Sequence, residues 1–172
     1  MKTLISREEI QSRVRELAGQ IARDYRDRDL VMVGILKGAF VFLADLARHV
    51  DLPLEMDFVA VSSYGKDTKS SGVVRIIKDL DIDIRGRDVI VVEDIVDTGL
   101  TLSYIADMLR QREPSSLEIC ALLNKPEARK VELEVKYCGF EIPMLFVVGY
   151  GLDHAERYRH LPYVGVLEEA AE

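Results

Sequence analysis

One segment constrains the fold of this chain more than any other, because it joins an apolar run to two acids and a glycine-containing loop. The run, residues 88–92, is rich in valine and isoleucine, and Glu93 and Asp94 follow it directly. A run of this kind is typical of a buried strand in a parallel sheet. A tight turn then leads to a helix predicted from about residue 101 to residue 112, which Pro114 stops. The segment therefore predicts an α/β fold.

The rest of the chain predicts a mostly parallel, twisted sheet flanked by helices. Ser6 and Glu9 form a capping-box pattern, which predicts a helix at the start of the chain. Strand and helix alternate through the first two-thirds, whereas the last third is irregular and predicts a small, strand-rich cap beside the sheet. The apolar face of the first helix comprises Ile10, Val14, Leu17 and Ile21; the other predicted elements are a helix at 39–50 and strands at 30–36, 56–61, 73–77, 117–123, 131–137, 145–148 and 163–167.

Charge and composition argue against several classes of protein. With 23 Lys and Arg against 30 Asp and Glu, the formal net charge is −7, which does not suit a protein held mainly by a nucleic-acid backbone. No apolar run approaches the roughly 20 residues that span a bilayer. Cys120 and Cys138 are too few for a disulfide framework, so we expect a cytoplasmic protein, with Cys120 as a small core residue.

The loop after the acidic pair has the parts of a phosphate site. Gly99 allows close backbone approach, Thr98 and Thr101 supply hydroxyls, and the next helix offers free N–H groups at its start. The triphosphate-binding P-loop pattern is absent from the sequence. Two carboxylates beside a bare phosphate would repel it, but they suit a sugar diol or a shared Mg²⁺ ion. From the residues alone, a solvated acidic strand end with an N-capping Asp or Thr remains open.

This motif carries a resemblance to a known family. An apolar strand ending in Glu93 and Asp94, followed by two residues and Asp-Thr-Gly-Leu-Thr at 97–101, resembles the phosphoribosyl-diphosphate signature of the type I phosphoribosyltransferases. The resemblance extends over about residues 5–167. It implies purine salvage, in which the 5-phosphoribosyl group passes from phosphoribosyl diphosphate to N9 of hypoxanthine or guanine and pyrophosphate is released.

The resemblance assigns roles to the central motif. It implies that Glu93 and Asp94 bind the ribose hydroxyls, directly and through Mg²⁺. The loop would wrap the 5-phosphate, and its first residue would also be the general base that takes a proton from the purine ring. The variable position of the motif can contribute only its backbone N–H, since it is a leucine. The loop residues, from the general base onward, are Asp97, Thr98, Gly99, Leu100 and Thr101.

Two further groups match the pyrophosphate side of the family's site. Leu36, Lys37 and Gly38 resemble the loop that meets the leaving group, where an unusual cis peptide often occurs. Arg159 matches an arginine that meets pyrophosphate, and Asp153 matches an acid associated with Mg²⁺ on the purine side. Taken alone, Lys37, Arg159 and Asp153 are also compatible with ordinary surface charges.

The remaining matches concern the lid and the purine. Ser63 and Tyr64 match a mobile lid, which would exclude water from the cationic ribosyl centre. Lys125 matches the lysine that donates to the 6-oxo group, so adenine should be rejected strongly. Phe146 and Val147 match the stacking aromatic and the backbone that reads the purine edge. Taken alone, Phe146 would be assigned to the core.

The chain departs from the family pattern at three positions near the predicted purine site. Met144 and Leu145 stand where relatives often carry acidic residues, and His154 stands where an aromatic residue is common. The first two departures could alter the purine preference or an interface. We expect His154, like His49 and His160, to be a surface residue.

The resemblance also implies domain organisation and partners. We expect one domain, 1–172, with a core at about 25–125 and a hood mainly from about 126–172, to which the N-terminal region contributes. Its partners would be small-molecule substrates and Mg²⁺, with no nucleic acid or membrane, in a homodimer or homotetramer. The alternatives are a xanthine preference, a phosphoribosyl-diphosphate-sensing regulator that binds nucleic acid, and an inactive scaffold domain.

Overall fold

The computed structural model describes residues 1–63 and 74–168. Tyr64 of the predicted lid lies outside the described residues, as does the whole of the polar stretch that follows it, while Ser63 ends a strand. The strands are β1 (Lys2–Ile5), β2 (Leu30–Leu36), β3 (Leu54–Ser63), β4 (Val74–Lys78), β5 (Asp88–Val96), β6 (Ser116–Asn124), β7 (Tyr137–Glu141), β8 (Val147–Val148) and β9 (Val164–Val166); the helices are α1 (Arg7–Asp24), α2 (Phe40–His49) and α3 (Leu100–Arg110), with a 3-10 turn at Pro126–Ala128.

Six strands form the main sheet, in the order β4-β3-β2-β5-β6-β7. β2 pairs in parallel with β3 and β5, and β6 pairs in parallel with β5 and β7. Of the strands in this sheet, β4 alone is antiparallel to its neighbour. The predicted α/β fold with a mostly parallel sheet is therefore confirmed.

The first helix forms as its sequence predicts. The Ser6 hydroxyl accepts a hydrogen bond from the Glu9 N–H (3.1 Å), and the Glu9 carboxylate accepts one from the Ser6 N–H (2.7 Å), so the capping box is complete. All four predicted apolar positions of this helix are buried. Burial stabilises by roughly 1.5–3 kcal/mol per large apolar side chain, against about 1 kcal/mol for the cap, so packing fixes the helix more than its cap does.

The centre of the sheet is buried on both faces. Met32 and Ile90 belong to the core formed with α1 and α2, whereas Val31 and Val91 belong to the core on the α3 side. Cys120 is fully buried, as predicted. This two-sided burial explains why the middle strands read as continuous apolar runs instead of alternating ones.

Several predicted strand bounds are wrong. Residues 131–136 form no strand, and the strand begins instead at Tyr137 and joins the main sheet as β7. Leu133 and Val135 in this segment pack against the α3 side of the core without ladder pairing. β5 continues to Val96, because it pairs with β6 that far, so the acidic pair lies inside the strand.

A second, antiparallel sheet has the order β1-β9-β8. The N-terminal strand pairs with β9, and β9 pairs with β8, so both ends of the chain build this sheet. β8 and β9 are shorter than the predicted strands at 145–148 and 163–167. Among the described residues, no helix is long and apolar enough to cross a membrane.

Candidate active site

The carboxyl ends of three adjacent strands bring the predicted site residues to one edge of the sheet. β2, β5 and β6 are neighbours and run parallel, so the loops that begin at Lys37, Asp97 and Lys125 leave the sheet on the same side. In open α/β sheets, ligands bind at this edge. The topology therefore unites residues that are far apart in sequence.

Glu93 and Asp94 lie side by side and half-buried at this edge. The Asp94 N–H donates to Glu93 Oε1 (3.0 Å), and the Ile95 N–H donates to Asp94 Oδ1 (2.6 Å). Burial raises the pKa of Glu93 well above its usual value, and the Asp94 charge raises it further. Burial also raises the pKa of Asp94, although the Arg159 charge opposes the change. A cation or a hydrogen-bond donor at this pair would relieve the excess of negative charge.

Asp97 and Lys125 form a loose ion pair between two loops. Lys125 Nζ lies 3.7 Å from Asp97 Oδ2, and the lysine side chain is 10% exposed whereas the aspartate side chain is 54% exposed. The Lys125 N–H donates to the Val96 carbonyl (2.9 Å), which ties the start of its loop to the end of β5. At 3.7 Å the charges attract without a hydrogen bond, so each group can still bind a ligand.

The loop before α3 has the geometry of an anion site. Gly99 has a φ of +82°, a conformation that glycine adopts without steric cost, and a Cβ there would lie 3.0 Å from Arg129 Cδ. The Lys130 N–H donates to the Thr98 carbonyl (2.9 Å), and the Leu100 N–H donates to Thr98 Oγ1 (3.4 Å). Helix α3 begins at Leu100, so its positive N-terminal end follows this loop directly.

Close packing of two glycines joins the loop after β2 to the segment that contains Gly151. The peptide bond between Leu36 and Lys37 is cis, as the resemblance implied. A Cβ at Gly38 would lie 1.8 Å from Asp94 Oδ2, and a Cβ at Gly151 would lie 2.2 Å from the Gly38 carbonyl oxygen. Neither position accepts a larger residue without movement of its neighbours.

Arg159 lies in a network of charges that extends to Lys37 in the loop after β2. Its Nη1 donates to the Gly151 carbonyl (2.7 Å), while its Nη2 lies 3.3 Å from Asp153 Oδ1 and 3.2 Å from Glu156 Oε1. Its Nε is buried without a hydrogen-bond partner in the described part of the chain. Lys37 Nζ lies 3.1 Å from Glu156 Oε2. Both cations of the predicted pyrophosphate side therefore share one carboxylate.

Phe146 is 56% exposed, so the assignment to the core that its residue type alone suggests is wrong. Its ring packs edge-on against His154, with centroids 5.5 Å apart and an interplanar angle of 87°. An exposed aromatic ring can stack on a flat ligand. Val147 is buried in β8 beside it. His154 is exposed, as predicted.

Sequence reasoning missed two charged residues at this edge, Arg129 and Glu156. Arg129 donates to the Asn124 side chain and to the Leu133 carbonyl (3.2 Å), and its Nε is buried without a partner among the residues described. The position of Arg129 four residues after Lys125 was its one local signal. Glu156 had none, because its contact with Lys37 joins residues 119 positions apart in the sequence.

The acidic pair fits a shared Mg²⁺ ion better than a metal site built by protein alone. Carboxylate oxygens suit Mg²⁺, and Glu93 and Asp94 supply them. The described residues contain no group of three His, Cys, Asp or Glu side chains that could hold a metal. Asp153, the third predicted ligand, contacts Arg159 and the Glu156 N–H (2.9 Å). The donor set therefore suits an ion that takes further oxygen ligands from a bound substrate and water.

Comparison with known proteins identifies the family to which this chain is similar. The family model described as "Phosphoribosyl transferase domain" matches residues 5–155. Hypoxanthine-guanine phosphoribosyltransferase from Bacillus subtilis strain 168 is 54% identical over 169 residues, which cover 98% of this chain and 94% of that protein. The protein of that name from Mycobacterium tuberculosis strain CDC 1551 is 54% identical over 171 residues, covering 96% and 85%. A crystal structure of a hypoxanthine phosphoribosyltransferase from Staphylococcus aureus matches with a TM-score of 0.95 at 49% identity, covering 98% of this chain and 91% of that chain.

Proposed function

We propose, from the premise that this chain belongs to the phosphoribosyl transferase domain family, that it transfers the 5-phosphoribosyl group of phosphoribosyl diphosphate to N9 of hypoxanthine and guanine. The products would be IMP or GMP and pyrophosphate, so the enzyme recovers free purine bases. The observation that supports this proposal best is that an acidic pair, an anion loop and a buried lysine converge at one sheet edge. These groups match a ribose diol, a phosphate and a 6-oxo group.

The phosphoribosyl moiety would lie over the end of β5. Glu93 and Asp94 accept hydrogen bonds from the ribose hydroxyls, and the loop N–H groups bind the 5-phosphate at the start of α3. Thr98 and Thr101 add hydroxyl donors, while Gly99 and Leu100 offer only backbone. Binding would thus bring donors to carboxylates whose burial now raises their pKa values.

The purine would lie between the lysine and the exposed ring. Lys125 donates to the 6-oxo group, Phe146 stacks on the base, and the Val147 backbone reads its edge. As N9 attacks the anomeric carbon, Asp97 accepts the proton that the base releases. The bond to pyrophosphate breaks while the new carbon–nitrogen bond forms, so positive charge develops on the ribosyl centre.

The leaving group would be bound by the loop Leu36, Lys37 and Gly38 together with Arg159. The two cations stabilise the negative charge that develops on pyrophosphate. When Mg²⁺ is bound, with Glu93, Asp94 and Asp153 as the proposed protein contacts, it supplies further neutralisation of that charge. Ser63 and Tyr64 are proposed to belong to a lid that excludes water.

We also propose a single domain, 1–172, with a core at about 25–125 and a hood mainly from about 126–172. In the described part of the chain, β7 of that second range belongs to the main sheet, while β8 and β9 form the second sheet with β1. A homodimer or homotetramer in the cytoplasm completes the proposal.

The test is a parallel assay of nucleotide formation with hypoxanthine, guanine, xanthine and adenine, each with phosphoribosyl diphosphate and Mg²⁺. We expect product with hypoxanthine and guanine and strong rejection of adenine. Xanthine as the best substrate would favour the first alternative. No product with any base would overturn the enzyme assignment, and tight binding of nucleic acid in a filter assay at moderate salt would then favour a regulator.

A further inference from the structure

Glu156 bridges the two cations that the proposed function assigns to pyrophosphate. One carboxylate oxygen lies 3.1 Å from Lys37 Nζ, and the other lies 3.2 Å from Arg159 Nη2. One side chain thus presents two oxygens to two cations that belong to different loops. A phosphate group would present its oxygens to the same pair.

The bridge is built so that it can open. The side chains of Lys37 and Glu156 are 67% and 64% exposed, so water and salt can replace their contact at little cost. Glu156 has a φ of +63°, and Ala155 and Tyr158 before and after it also have positive φ values. Residues 154–157 are all exposed, so the Glu156 side chain can leave the two cations without uncovering the core.

The second cation is held independently of the bridge. Arg159 Nη1 donates to the Gly151 carbonyl, and Arg159 Nη2 also lies 3.3 Å from Asp153 Oδ1. Loss of the Glu156 carboxylate would therefore leave Arg159 near its present position. The carboxylate adds negative charge at the cations more than it fixes their geometry.

We propose that Glu156 is an internal competitor of pyrophosphate, which occupies Lys37 and Arg159 in the substrate-free enzyme and weakens the binding of the leaving group. This inference rests on the proposed function. It assigns to Glu156 a role in product release: as pyrophosphate leaves, the carboxylate returns to the two cations. No covalent step is involved.

The expected size follows from the exposure of the contacts. Glu156 is 64% exposed in both contacts, so each contact is weak, and removing the competitor should tighten pyrophosphate binding by about 3- to 10-fold. The gain should shrink as salt is added, because exposed charges are screened.

The experiment is calorimetric titration of the whole protein with inorganic pyrophosphate, in the presence and absence of Mg²⁺, without any purine. Glu156→Gln should bind more tightly than the wild type, and Glu156→Asp, which keeps the charge, should lie closer to the wild type. Glu113→Gln is the matched control, since Glu113 has a φ of +58°, a side chain that is 65% exposed and an ion pair with Arg85. The control should change the affinity by less than about 2-fold.

Unchanged or weaker binding by Glu156→Gln would overturn the proposal, and weaker binding would make Glu156 a positioning residue instead. Lys37→Ala separates this failure from failure of the proposed function. If Lys37→Ala binds pyrophosphate as well as the wild type does, or the wild type does not bind it, the pyrophosphate site itself is wrong. If Lys37→Ala weakens binding and Glu156→Gln does not strengthen it, only the role of Glu156 is wrong.

Discussion

Charged side chains are arranged in opposite ways at the two ends of the parallel strands. At the amino end, Arg87 donates to both oxygens of Asp29 (2.8 and 2.9 Å) and to Glu55 (2.9 Å). At the carboxyl end, Glu93 and Asp94 stand side by side. Two arginines there keep a buried Nε without a partner among the described residues. At the amino end, Arg87 is paired with carboxylates of the protein. At the carboxyl end, like charges lie side by side and two arginine nitrogens lack a partner among the described residues.

The pKa shifts report the same contrast. Hydrogen bonds from Arg87 to Asp29 and Glu55 raise the pKa of Arg87, so folding favours its charge. Burial and a like charge raise the pKa of Glu93, so folding disfavours its charge. A fold can tolerate such a cost where a ligand compensates it, so the contrast supports the proposal that ligands bind at the carboxyl edge.

The largest effect is expected for Asp97→Asn at the carboxyl edge. Without a proton acceptor, turnover should fall by roughly 10²–10⁴-fold, while phosphoribosyl-diphosphate binding largely survives. Steady-state kinetics and calorimetry measure the two quantities. Asp107→Asn, which removes an exposed carboxylate within α3, is the control. Near-normal turnover in Asp97→Asn would contradict its role as general base.

A smaller effect is expected for Lys125→Ala. Loss of a charged donor to the 6-oxo group should reduce the ratio of kcat/KM for hypoxanthine to that for adenine by roughly 10- to 100-fold. The exposed Lys130, which lies in the same segment, provides the control variant Lys130→Ala. Unchanged discrimination in Lys125→Ala would show that another group reads the 6-position.

The smallest effect on activity is expected at the amino edge. Arg87→Met should lower the free energy of unfolding by about 1–3 kcal/mol, because charged hydrogen bonds to two carboxylates are lost. Its kcat/KM should stay within about 2-fold of the wild type, because Arg87 lies at the opposite end of the strands. Arg85→Met, which breaks a more exposed pair, should cost less than about 1 kcal/mol. Denaturant titration measures the free energy of unfolding of both variants. A large loss of activity in Arg87→Met would contradict the contrast between the edges.

Local patterns predicted the elements whose signals are local. The capping box of Ser6 and Glu9 gave α1, and continuous apolar runs gave β2 and most of β5, because two-sided burial demands them. The strand predicted at 131–137 is wrong over 131–136, because apolar residues indicate burial and say nothing about ladder pairing. Leu133 and Val135 of that segment are partly buried without a partner strand.

The candidate site likewise has a part that local sequence predicts and a part that depends on tertiary packing. The motif at residues 93–101 could be predicted, because it lies within one strand and the turn that follows it. The contact of Glu156 with Lys37 could not be predicted, because it depends on tertiary packing between residues 119 positions apart in the sequence. The exposure of Phe146 contradicted its residue type, as is expected where a side chain is kept for a ligand. The cis bond at Leu36 came from the resemblance and not from physical chemistry.

The most direct test of the contrast between the edges is the free energy of unfolding of the wild type and Glu93→Gln, each with and without Mg²⁺ and phosphoribosyl diphosphate. Removing one of two adjacent half-buried charges should stabilise the free protein by roughly 1–2 kcal/mol, while the stabilisation by ligand seen in the wild type is largely lost. A free protein destabilised by Glu93→Gln, or a variant that the ligand stabilises as much as it does the wild type, would contradict the account.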